Sequence, residues 1–234
     1  MLLENLPKNI PINTFPIYSG CFEILADLGG YKVVGHTNNL IVGEFWLTIN
    51  ENKEVVSEMS KVISKIIDEQ TFEIMQKDWF KQIDPNLRAS LFFLLNNLSS
   101  TSMASSGVLI KPRPEIEYDN VENYKPVQVA VQEKPTLEYI QELADKEECL
   151  FYHGEKYYKL AKEENKIVGV DGCELNQREI ITILNKSYNP WFASMPPSTD
   201  LLELFDKRHR LLPVNNEGKL CKRDDAVLWL FTNI

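Results

Sequence analysis

Glycine is scarce in this sequence, at 10 of 234 residues, roughly 4% against an ordinary ~7%. Folds that cradle phosphate on backbone amides spend glycines to do so. Gly20, Gly29 and Gly30 form the only dense group near the start, and neither a GxGxxG nor a GxxxxGKS pattern occurs. A P-loop enzyme is therefore not expected. Basic charge is also short: 25 Lys and Arg face 34 Asp and Glu, for a formal net charge of −9. Broad affinity for nucleic acid needs clustered cations, so DNA is expected to be at most a weak partner. The four cysteines, Cys21, Cys149, Cys173 and Cys221, contain no CxxC. Neither a zinc site nor a disulfide framework is expected, and the thiols are read as reduced. His36, His153 and His209 show no HxH or HxxxH spacing, so no metal is expected. No run reaches ~18 uncharged apolar residues, which argues against a membrane partner. The first residues (MLLENLPKNI) lack the basic-then-apolar layout of a secretory signal, which points to a cytoplasmic protein.

What is present is ordinary globular material, 44% hydrophobic and 25% charged, long enough for one domain or a domain with an insertion. Residues 15–28 (FPIYSGCFEILADL) read as strand, turn and helix, and 31–35 (YKVVG) as a second strand. A helix over 39–47 would turn Leu40, Ile41, Phe45 and Trp46 to a core. Val55, Met59, Val62, Ile63, Ile66 and Ile67 recur at helical spacing and read as a second core-facing stripe. Asp84-Pro85 opens a further helix with Leu87, Leu91, Leu94, Leu95 and Leu98 inward, and 99–106 (SSTSMASS) reads as a solvated connector. Val127 to Val131 alternates like a short strand, and Thr136 is the expected N-cap of a helix (LEYIQELADK). Strands follow at 149–152 and 191–194, with helices over 176–184 and 199–207 and a closing strand pair at 210–214 and 226–231. This order predicts an α/β doubly wound sheet. The expected division is 1–50 with 113–234 for the α/β domain, and 51–112 for a helical insertion.

Several segments resemble the Dam-type DNA adenine-N6 methyltransferases, a branch of the class I AdoMet-dependent, Rossmann-like fold. Tyr18-Ser19-Gly20-Cys21-Phe22 resembles the F-x-G-x-G cofactor loop, with Phe22 at the second glycine. Gly35-His36-Thr37-Asn38-Asn39 stands where the family has an acid for the cofactor ribose, with His36 at the acid. Arg88-Ala89, Phe92 and Leu95-Asn96 resemble the R-A-x-x-F-x-x-L-N pattern of target recognition, which makes Arg88 and Asn96 candidate DNA contacts. Tyr152-His153-Gly154-Glu155-Lys156 stands where the family has the catalytic D-P-P-Y. The end of the chain, Asp225 to Asn233, is similar to the family's E-x-L-I-x-N strand.

The departures bear on chemistry. In the family, the acid and the adjacent carbonyl accept from the adenine amino group, the prolines stiffen the turn, and the aromatic stacks the flipped base. A neutral His153 could accept one bond, but Gly154 gives freedom where the turn needs stiffness, and Glu155 and Lys156 put charge where a flipped base needs an apolar stacking wall. Phe22 puts a ring where backbone must approach the cofactor. His36 cannot give a ribose diol the two-oxygen acceptance of a carboxylate. Tyr18, Gly20, Phe22 and His36 therefore read as a vestigial cofactor site. The resemblance implies a catalytically inactive relative that binds no cofactor and works as a binding or partner module, beside an active methylase or another protein. The alternative is an active, divergent DNA adenine-N6 methyltransferase using S-adenosylmethionine.

Overall fold

The computed structural model describes residues 6–18, 21–123, 126–154, 177–215 and 219–234. Two compact units emerge. One takes the residues up to Asn38 and the described residues from Ala130 onward; the other spans Asn39–Val129. The expected insertion, 51–112, lies inside the second unit, which reaches further at both ends.

Seven strands form one sheet: β1 (Ile12–Phe15), β2 (Val33–Thr37), β3 (Val129–Val131), β4 (Cys149–His153), β5 (Trp191–Met195), β6 (Arg210–Val214) and β7 (Leu228–Thr232). Their order is β3-β2-β1-β4-β5-β7-β6. β1 runs parallel to β2 and β4, and β4 parallel to β5, whereas β7 is antiparallel to both β5 and β6. The expected α/β doubly wound class is therefore met. β1 ends at Phe15 because Pro16 has no N–H to offer a neighbouring strand.

β4 (CLFYH) and β5 (WFASM) read almost wholly apolar because both sheet faces are covered. On one face, Leu150, Tyr152, Trp191, Ala193 and Phe231 pack with helices α6 (Thr136–Asp145) and α7 (Gln177–Lys186). On the other, Ile12, Val33, Cys149, Phe151 and Phe192 pack with Ala26 of α1 (Cys21–Leu28). Burial pushes the Cys149 thiol up to about 12, so it is an inert core residue at neutral pH. The helix expected over 199–207 shrinks to α8 (Thr199–Leu202). Thr136 is not the N-cap of α6. Pro135 holds that position without a side-chain bond, and the Thr136 hydroxyl instead accepts from Asn38 Nδ2 at 2.8 Å.

The helical unit holds α2 (Leu40–Ser64), α3 (Glu69–Asp78), a 3-10 turn at Trp79–Lys81, α4 (Pro85–Leu98) and α5 (Asp119–Asn123). The two helices expected over 39–47 and from Val55 are one element, interrupted by non-helical Asn52 (φ −136, ψ 34). Asn39 caps it, its side-chain oxygen accepting from the Ile41 and Val42 N–H groups at 3.0 and 3.2 Å. Phe92 of α4 centres an aromatic core, 4.6 Å from the Phe45 ring and 5.3 Å from that of Trp79.

Two expectations fail here. Of the expected stripe, Val55, Val62 and Ile66 are exposed rather than core, as is Leu40, while Met59 and Ile63 are half-buried and Ile67 is buried as expected. Val56, Ser57 and Ser60 take the inward face, because small polar residues let α2 approach α4 and α5. Ser60 Oγ donates to Ser90 O, Ser90 Oγ to Val56 O, and Ser57 Oγ to Glu122. Nor is 99–106 a solvated connector. Met103 and Ala104 are buried, Ser99 Oγ donates to Ser106 O, and Gln76 Nε2 and Trp79 Nε1 reach Ser106 O and Ser105 Oγ. Among the described residues no helix is long and apolar enough to cross a membrane.

Candidate functional site

In open α/β sheets, ligands bind beyond the carboxyl ends of the parallel strands. Of the residues singled out from the sequence in the α/β unit, the described His36 and His153 lie there, but on two opposite faces of the sheet.

His36 lies on β2 and turns under α6, only 4% exposed. Its Nδ1 accepts from the Tyr139 hydroxyl at 2.5 Å, and its Nε2–H donates to Asn13 Oδ1 at 2.8 Å. Asn13 Nδ2 in turn donates to Glu148 Oε2 at 2.7 Å. Burial pushes the Tyr139 phenol up to about 12, which keeps it a donor. Burial also pushes His36 down to about 4; the Lys146 charge adds to that fall and Glu148 opposes it. A neutral imidazole with both nitrogens engaged has no acceptor left for a ribose diol. Two residues on, Asn38 donates through Nδ2 to Lys134 O and Thr136 Oγ1.

The other face carries a carboxylate–imidazole pair. Glu23, in the first turn of α1, is 3% exposed, and its Oε1 stands 3.4 Å from His153 Nε2. That is an ion-pair separation rather than a short hydrogen bond. Thr14 Oγ1 on β1 also donates to Glu23 Oε1. Burial alone would raise the Glu23 carboxyl, but His153 and Thr14 outweigh it and hold it below the ordinary carboxylate range. The His153 ring lies 4.7 Å from Phe151 and edge-on to Phe22 at 5.5 Å. Phe22 stacks on Phe151, centroids 4.1 Å apart. The second-glycine position of the expected cofactor loop is thus filled by a ring packed onto the sheet.

Backbone closes in around both histidines. The Ile17 N–H donates to His36 O at 2.8 Å, and a Cβ on Gly35 would stand 2.5 Å from Ile17 Cδ1. Tyr18 is buried at 4% exposure. The Gly154 N–H donates to Ser194 O at 2.8 Å, and a Cβ there would meet Met195 Sδ at 2.4 Å. Gly20, Glu155, Lys156 and Cys173 lie outside the described residues.

Arg88 and Asn96 belong to the helical unit. Arg88 donates through Nε and Nη2 to the two carboxylate oxygens of Glu44 and through Nη1 to Gln82 O. A guanidinium so engaged is a fastener between α2 and α4, and it would have to abandon Glu44 to meet a phosphate. Asn96 is half-buried in α4. An Arg88→Met variant is expected to lose about 2 kcal/mol of stability, seen as a lower urea midpoint. An unchanged midpoint would free Arg88 for the DNA role.

Asn13, Thr14, Glu23, Tyr139 and Glu148 were not found from the sequence. Two adjacent polar residues inside an otherwise apolar strand were the available signal, since a buried polar group needs a partner. Among the described residues no three or more His, Cys, Asp or Glu side chains gather as a metal site. No family model matches the chain, and no curated protein matches it, so the site stands on its geometry alone.

Proposed function

We propose that the α/β unit is a class I methyltransferase-like scaffold that has given up methyl transfer, and that the protein works as a binding or partner module. The surroundings of His36 carry this reading. The position that should present an acid to the ribose holds a neutral ring turned into the core, bonded on both sides by Tyr139 and Asn13. The packed group of Phe22, Phe151 and His153 supports it, because the family's cofactor loop needs open backbone at Phe22. A mostly parallel sheet with a reversed strand, β7, slotted between β5 and β6 agrees with the scaffold half of the proposal. His36, at the acid position of β2, offers an AdoMet ribose no free acceptor.

Isothermal titration with AdoMet is expected to show no binding in the micromolar range, and labelled AdoMet no transfer to adenine-containing DNA. Micromolar binding together with transfer that disappears in His153→Ala would establish the active, divergent DNA adenine-N6 methyltransferase instead.

A further inference from the structure

The second half of α2 exposes an apolar seam that no described element of the helical unit covers. Val55, Val62 and Ile66 are 46%, 63% and 66% exposed, and Met59 between them is half-buried. Their spacing is 4, 3 and 4, the a/d alternation of a coiled coil. Beyond Ser64 the chain continues as a tightened turn, with the Ile66 N–H donating to Ile63 O at 3.1 Å, so Ile66 extends the same stripe. The opposite side of the helix is spoken for by Ser57 and Ser60.

We propose that this seam pairs with the same seam of a second copy of the chain, the two helices running antiparallel about a two-fold axis between Ser60 and Lys61. The spacing is its own mirror image when the helix is reversed. Val55 then faces Ile66 of the second copy, and Met59 faces its Val62, so every apolar residue gains an apolar partner. Charge selects this occupant. Glu58 and Lys65 flank the seam on one side, at equivalent heptad positions, and reversing one helix brings that side against itself. Glu58 of each copy then meets Lys65 of the other, twice per dimer. Glu58 remains available, its side chain 69% exposed although one oxygen meets Lys61 at 3.1 Å. A parallel pair would also set each seam residue against an apolar partner, but it would not bring Glu58 of one copy to Lys65 of the other. The seam is short beside a standard interface of ~800 Å² per partner, so the dimer belongs in the micromolar range. It does not depend on the loss of methyl transfer.

The test is sedimentation equilibrium of the full chain from micromolar to hundreds of micromolar. The wild type should show a monomer–dimer equilibrium. Val62→Glu should weaken it at least about tenfold by burying a charge at the seam. Glu58→Lys and Lys65→Glu should each weaken it several-fold, and the double swap E58K/K65E should restore it. A wild type that stays monomeric, a dimer indifferent to Val62→Glu, or a double swap no tighter than the single variants overturns the proposal. A circular dichroism spectrum of each variant separates dimer loss from unfolding.

Discussion

A Gly154→Pro variant is expected to lose roughly 4 kcal/mol of stability. Two separate injuries add. Proline removes the N–H that donates to Ser194 O at 2.8 Å, a buried backbone bond between the end of β4 and the end of β5. Losing such a bond costs on the order of 1–3 kcal/mol. Its Cβ would also stand 2.4 Å from Met195 Sδ and 2.9 Å from Ser194 O. The methionine can swing away, but the carbonyl belongs to a strand in mid-sheet, and such crowding costs a further ~1–3 kcal/mol. Domains hold only about 5–15 kcal/mol in all. Gly154→Ala keeps the donor and suffers the crowding alone, so its urea midpoint should fall between wild type and Gly154→Pro. Equal midpoints for all three would mean that the turn yields freely. The D-P-P-Y motif that this segment resembles carries proline at this position, so rebuilding it on this backbone should take away a large part of the fold's stability.

Acid is expected to destabilise the fold through His36. Its folded-state value of about 4 lies below the ordinary 6.5. Between those two values the unfolded chain binds a proton that the folded chain refuses. Stability is therefore whole above pH 6.5, falls as pH drops toward 4, and loses nothing more to this group below that. The gap is worth about 3 kcal/mol, and with His36 nearly inaccessible to water little of it is screened. Glu23 loses its own contribution lower down, below the ordinary carboxylate value of 4.5 that its folded-state value undercuts. A His36→Gln variant separates the two. It can still meet Tyr139 and Asn13, yet it does not titrate. Urea midpoints measured from pH 7 to pH 4 should fall more steeply in wild type than in His36→Gln. Parallel slopes would show that His36 takes its proton in place.

Strands such as β4 and β5 were legible because buried parallel strands announce themselves as short apolar runs, whereas β1, expected from residue 15 onward, lies at Ile12–Phe15, where Asn13 and Thr14 break the apolar run. The placement of His36 and His153 near the carboxyl ends of β2 and β4 followed from that. Their surroundings did not, because the partners are remote: Tyr139 lies 103 residues from His36, and Glu148 lies 135 from Asn13. The same non-locality misled the reading of Thr136, whose hydroxyl looked free to cap its own helix but is taken by Asn38, 98 residues away. Helical spacing identified α2 but could not say which side turns inward. Val55 and Val62 are more apolar than Ser57 and Ser60, yet the serines face the core, where they bond to α5 and α4.

β1 carries Asn13 and Thr14 side by side, and consecutive strand residues point to opposite faces. Asn13 anchors the His36 chain under α6, while Thr14 anchors Glu23 beside His153. A slip of β1 by one residue against β2 and β4 would exchange the two. It would strand a carboxylate on one face and an imidazole on the other, besides inverting Ile12 and Phe15. Apolar strands of four residues can slide at modest cost; this one is pinned from both sides by groups that cannot be buried alone. The polar pair thus acts as an index mark for the middle of the sheet. It excludes misaligned pairings of the first strand while the distant β4 is being recruited.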